Sequence, residues 1–251
     1  MTWREYRFSY FGHAPLAARE VEWLLDECQK LGVPIAKWGV LDGAVRQKMI
    51  SHREAAEASE LHGRIILKSP PSYQIEIDVS LRGFVPFVMC EASGRDACTN
   101  VDRLFRALAT SLPMDYGASG ALAGPHVEFE GVTSPQALAL QQLSRPSGQS
   151  AADYRQQGPA GVGFRTYLGK HFVAQFGESL LRSSPCRVEE AGRGILLSLT
   201  EGCPCEGPLA VLADQWTRVS EHLAPAGVFQ REANGRRMKG PNCVMVYGPK
   251  G

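Results

Sequence analysis

The chain has 251 residues, 44% hydrophobic and 21% charged, a balance ordinary for a globular protein, and it builds one large domain or two small ones. A net charge of +1 excludes a general basic field for holding nucleic acid. No apolar run approaches the roughly 20 residues of a membrane span, and the N-terminus lacks the charged-then-apolar pattern of a signal peptide, which points to the cytoplasm.

Residues 3–10 alternate, with Arg4, Tyr6, Phe8 and Tyr10 on one side, and predict a strand. Gly12-His13-Ala14-Pro15 turns the chain into a helix over 16–31, whose Val21, Leu24, Leu25 and Cys28 recur at helical spacing and which Gly32 and Pro34 stop. A short strand at 33–40 and a helix at 52–61 follow. In 73–81, Tyr73, Ile75, Ile77, Val79 and Leu81 alternate with Gln74, Glu76, Asp78 and Ser80, so one face is buried and the other wet, as in an antiparallel sheet. Arg82-Gly83 turns this strand into another that ends at Glu91, forming a hairpin. A helix over 101–112, strands at 116–123 and 126–130, and a helix at 135–143 complete the first half.

Residues 144–163 are rich in Ser, Gln, Gly and Pro and predict a linker or long surface loop. It divides an N-terminal half, 1–143, from a C-terminal half, 164–251, unless the two form one continuous domain. The second half opens with a helix around 167–181. Strands at 186–190 and 195–200 meet at Gly192-Arg193-Gly194, a helix spans 209–223, and Val228-Phe229 and 243–247 close the chain as strands. Each half contains a strand, a polar loop and an amphipathic helix: 87–91 with 101–112, and 195–199 with 209–223. The expected class is α+β, with helices packed on one face of antiparallel sheets and two related strand–loop–helix repeats.

Chemistry is sparse along this chain. The seven cysteines are an odd, scattered set that fits reduced thiols. Cys90, Cys98, Cys203 and Cys205 occupy matching places in the two repeats and would form a zinc site if the repeats packed together, although their spacing is not that of a zinc knuckle. None of the six histidines has a helical partner at metal-binding spacing. No Gly-x-Ser-x-Gly elbow occurs, and Gly158-Pro159-Ala160-Gly161-Val162-Gly163 lacks the Gly-Lys-Ser/Thr ending of a phosphate loop. Glu76 with Asp78 and Glu128 with Glu130 share strand faces that read as the wet side of a sheet or a surface for a basic partner. Arg231, Arg236, Arg237 and Lys239 cluster without interleaved aromatics and read as a solvated loop. No cofactor and no nucleic acid is expected.

Tyr167-Leu168, then Gly192-Arg193-Gly194-Ile195-Leu196-Leu197, a polar loop, the helix 209–223 and Leu223-Ala224-Pro225 together resemble the C-terminal part of bacterial polymorphic-toxin immunity proteins, notably the type VI secretion immunity group. The helix from Arg103 through Leu112-Pro113 into Tyr116-Gly117 is similar to their central segment. The resemblance implies a non-enzymatic protein that binds a cognate bacterial toxin and occludes its active site. Because loops on a rigid sheet commonly carry binding, the contacts are expected at Glu91, Arg95 and Asp96 and at Glu201 and Glu206, in the loops after the two repeat strands. Two alternatives stand beside it. One is a small hydrolase or transferase with a site assembled only in the fold, marked by a pocket in which a histidine meets a carboxylate or cysteine. The other is a zinc-stabilised adaptor.

Overall fold

The computed structural model describes residues 5–40, 45–49, 51–69, 73–79, 85–122, 132–202 and 208–245, with Arg95, Asp96 and Leu122 described through their backbone alone. Among these residues the strands are β1 (Glu5–Gly12), β2 (Lys37–Gly39), β3 (Gln47–Lys48), β4 (Arg64–Ser69), β5 (Tyr73–Asp78), β6 (Phe87–Ser93), β7 (Met114–Leu122), β8 (Arg165–Leu168), β9 (Arg187–Ala191), β10 (Gly194–Ser198), β11 (Arg231–Ala233) and β12 (Arg236–Met238). The α-helices are α1 (Ala18–Lys30), α2 (His52–His62), α3 (Arg95–Ser111), α4 (Ser134–Ser144), α5 (Ala151–Gln157), α6 (Lys170–Phe176), α7 (Glu178–Arg182) and α8 (Leu209–Leu223).

Ten strands form one sheet in the order β3-β2-β4-β5-β6-β1-β7-β8-β10-β9, and every neighbouring pair is antiparallel. The class is therefore α+β on an antiparallel sheet. β1 lies at its centre because its aromatic residues alternate between two cores. Phe8 and Tyr10 meet Phe105 of α3, with ring centroids at 5.5 and 4.5 Å. Phe11, on the other face, stacks on Tyr154 of α5 at 4.4 Å.

That alternation sorts the helices. α1, α2 and α3 cover the face carrying Phe8 and Ile75. α4, α5 and α6 gather on the face of Phe11 and Tyr116, and α8 packs on α4. Helices thus lie on both faces rather than on one as expected. β8, whose four residues are all buried, needs cover on each side. The two strand–loop–helix units also differ in their packing, since α3 lies against one face of the sheet and α8 on the helix layer of the other.

Several local readings change for physical reasons. α3 begins at Arg95, not near Val101, because Gly94 at φ +91° turns the chain straight out of β6 and Ala97 and Cys98 join the core. Residues 144–163 are not a bare linker: they hold a 3-10 turn at Pro146–Gly148 and α5, whose Ser150 hydroxyl accepts the Asp153 amide hydrogen at 3.0 Å. This stretch hydrogen-bonds to β1, where the Ser9 hydroxyl donates to the Ser147 carbonyl at 2.7 Å. The pairing of β7 with β8 carries the sheet across it.

Tyr167 and Leu168 belong to strand β8, not to a helix, and the helical stretch after them breaks in two at Gly177, φ +81°. Val228-Phe229 and residues 243–245 are irregular, and the nearby strands are instead the hairpin β11–β12, which carries Arg231, Arg236 and Arg237 exposed. The expected strand 126–130, the Arg82-Gly83 turn and residues 246–247 lie outside the described residues.

Candidate functional site

The antiparallel run β6-β1-β7-β8-β10 points β6 and β10 in the same direction. Their C-terminal ends therefore open on one end of the sheet, four strand spacings or about 19 Å apart. Four of the five expected contact residues are described, and these lie around that end. Glu91 lies within β6 itself, half-buried and ion-paired with Arg7 of β1. Arg95 and Asp96 form the first turn of α3. Glu201 is exposed just beyond β10, and Glu206 lies outside the described residues.

A buried ionic clamp joins the two loop regions. Arg165 of β8 has no exposed surface. Its Nε donates to Asp102 Oδ1 at 3.2 Å and its Nη2 to Asp102 Oδ2 at 3.3 Å, reaching the second turn of α3. The same guanidinium donates to the backbone carbonyls of Thr200 and Gly202, in the loop after β10. Tyr6 Oη lies 2.9 Å from Asp102 Oδ1 and 2.8 Å from Ser119 Oγ. An ionised carboxylate only accepts, so the phenol proton goes to Asp102 and Ser119 donates back to the phenol oxygen. Ser119 Oγ also accepts the Arg165 amide hydrogen at 3.1 Å. Burial, then the Asp102 charge, holds the Tyr6 phenol well above its ordinary range, so it remains a neutral donor.

The ion network extends outward, with Arg106 Nη1 donating to Glu189 Oε2 at 3.0 Å and Arg187 Nη2 to Glu189 Oε1 at 2.8 Å. Despite some opposing burial, the two arginines bring the Glu189 carboxyl below its usual value.

The opposite end of the sheet carries a cleft of about 620 Å³, lined by residues that include His13, Glu20, Asp115, Tyr167, Lys170 and Arg193. Strand direction again explains the convergence: β1 ends where β7 begins, β8 ends beside them, and the β9–β10 turn lies at the same level. His13 Nδ1 is 2.8 Å from Asp115 Oδ1, with His13 half-exposed and Asp115 buried. Burial raises the Asp115 carboxyl, against the opposing pull of His13 and His171. Tyr167 has its phenol pushed up to about 12, first by burial and then by Asp115, with Arg193 opposing. The pairing set out above as the mark of a site assembled in the fold is present here.

The clamp and this cleft both escaped sequence reasoning. Asp102 and Arg165 are 63 residues apart, and His13 and Asp115 are 102 apart. The one usable signal was Arg165 beside an otherwise apolar run, where a charge has to find a partner. Cys90 and Cys98 are buried, and burial keeps the Cys90 thiol protonated. Cys203 and Cys205 lie outside the described residues, and among those described no three His, Cys, Asp or Glu side chains gather as a metal site.

No protein-family model matches this chain, and no curated protein matches it by sequence.

Proposed function

We propose that this is an immunity protein, which binds a cognate bacterial toxin in the cytoplasm and occludes the toxin's active site with the sheet end where β6 and β10 open. The observation that carries the reading is the Arg165 clamp. It ties α3, through Asp102, to the loop after β10, through Thr200 and Gly202. Loops held in this way lose little freedom on binding, which raises affinity without added contact area. The Glu201 carboxylate, exposed at this end, mimics an anionic substrate and steers a basic toxin site toward it. Among the described residues no helix is long and apolar enough to cross a membrane.

The test is affinity capture of the tagged protein from its native cells, read by mass spectrometry. One stoichiometric partner, encoded beside it and toxic when expressed alone, supports the proposal. Charge reversal at Asp96 and Glu201 then weakens that complex about tenfold or more. Capture without a partner, or recovery of the protein in periplasmic fractions, counts against it.

The His13–Asp115 pair favours a second reading, a small hydrolase or transferase in which the buried carboxylate orients His13 as a general base. Turnover of a metabolite extract that is lost in His13→Ala supports this reading, and unchanged turnover in that variant removes it.

A further inference from the structure

We infer that the cleft between α1, β7, β8 and α6 is a binding site for a small organic anion bearing a phosphoryl or carboxylate group. Its volume of about 620 Å³ lies within the range of small-molecule sites.

Charge within the cleft is unbalanced in favour of an anion. Of its two carboxylates, Asp115 is paired with His13, and Glu20 is held by the Ala17 amide hydrogen at 2.8 Å, where it caps α1. Lys170 and Arg193 are exposed at the rim, and neither has an ion-pair or hydrogen-bond partner among the described residues. With the His13–Asp115 pair taken as neutral and Glu20 keeping its charge, since an amide hydrogen bond does not cancel it, one net positive charge is left over.

Donors for such a ligand are already in place. Tyr167 is 1% exposed and lines the cleft, and its hydroxyl has no hydrogen-bond partner among the described residues. That hydroxyl is not among the buried polar atoms left without a partner, so it meets the open cleft, where an anionic oxygen can accept its proton. His13, half-exposed with its Nδ1 turned to Asp115, stands in the same lining. A phenol, an ammonium and a guanidinium around one cavity match a ligand with two or three acceptor oxygens.

The inference is separate from the toxin-binding reading, which uses the other end of the sheet. It shares its cleft with the enzyme reading but requires no turnover.

The test uses the full chain at low ionic strength, titrated calorimetrically with inorganic phosphate and separately with succinate, while ring NMR signals follow the histidines. Saturable binding of one probe per chain is expected, moving the His13 and His171 signals and leaving that of His52 in place. Tyr167→Phe and Arg193→Ala each weaken it about tenfold, whereas Lys48→Ala on the distant strand β3 does not. Tyr167→Phe removes only the hydroxyl, so its fold is retained. Phosphate without succinate assigns a phosphoryl ligand, and the reverse assigns a carboxylate. Binding of either probe supports the inference whether or not the His13→Ala turnover experiment supports the enzyme reading. Failure of both probes to move His13, or wild-type affinity in both Tyr167→Phe and Arg193→Ala, overturns it.

Discussion

Arg165 and Asp102 meet through two near-parallel hydrogen bonds at 3.2 and 3.3 Å, with the arginine wholly buried. The pair connects a strand in the second half of the chain to a helix in the first. It is accompanied by hydrogen bonds that satisfy the remaining donors of the guanidinium, the condition under which a buried ion pair is tolerated.

Asp102→Ala leaves the guanidinium without its counter-charge, and the expected loss of stability is about 3–5 kcal/mol. The double variant Asp102→Leu with Arg165→Met removes both charges and is expected to recover most of that loss. Urea unfolding of the three proteins measures the difference. A loss below about 1 kcal/mol in Asp102→Ala, the level of a surface pair, contradicts the clamp.

Gly117 permits a close approach across the sheet. A Cβ there would stand 2.1 Å from Tyr10 Cε1. Tyr10 cannot move aside easily, because it stacks on Phe105 at 4.5 Å and donates to the Phe105 carbonyl at 2.9 Å. Gly117→Ala is expected to cost about 1–3 kcal/mol through overpacking and to alter the near-UV circular dichroism of the aromatic core. An unchanged spectrum with unchanged stability contradicts this packing.

Asp115 couples stability to pH. Burial raises its folded pKa above the ordinary 3.8. Between these two values the folded chain holds more proton than the unfolded one, so stability falls as pH rises through the window. Asp115→Asn is expected to flatten that fall, while His13→Ala, which removes an opposing influence, extends it to higher pH. Urea midpoints recorded across the acid range read both effects, and a parallel profile for wild type and Asp115→Asn rejects the assignment.

The thiols give a chemical check on burial. Cys186 is pushed up to about 11, and burial drives Cys28 and Cys90 upward as well. Since the thiolate is the nucleophile, iodoacetamide at neutral pH should label these three far more slowly in the native protein than in urea. Peptide mass spectrometry reads the ratio. Rapid native labelling of Cys90 is incompatible with its position in β6.

Elements with a clean period were legible from the chain. The helix at 209–223 matches α8 in its bounds, the alternation around Ile75 and Ile77 marked β5, and Gly192-Arg193 turns β9 into β10. The elements that were missed carry no such period. β8 is buried on both faces, so Tyr167-Leu168 reads equally well as the start of a helix. α5 is short and polar apart from Tyr154, and only contact with Phe11 and Tyr116 shows what that residue buries. Of the expected contact residues, Glu201 lies exposed in its loop, while Glu91 proved to be a strand residue tied to Arg7.

By itself, the sequence determined the α+β class, the dry face of its hairpin, and most helix positions, because these follow from the spacing of apolar residues within one or two turns of chain. Only the tertiary structure decided the order of the ten strands, the choice of opposite faces by early and late helices, and the meeting of Arg165 with Asp102 and of His13 with Asp115. Those outcomes depend on pairing between segments distant along the chain, where burial of both faces and satisfaction of buried charge select one arrangement among many that local periodicity allows.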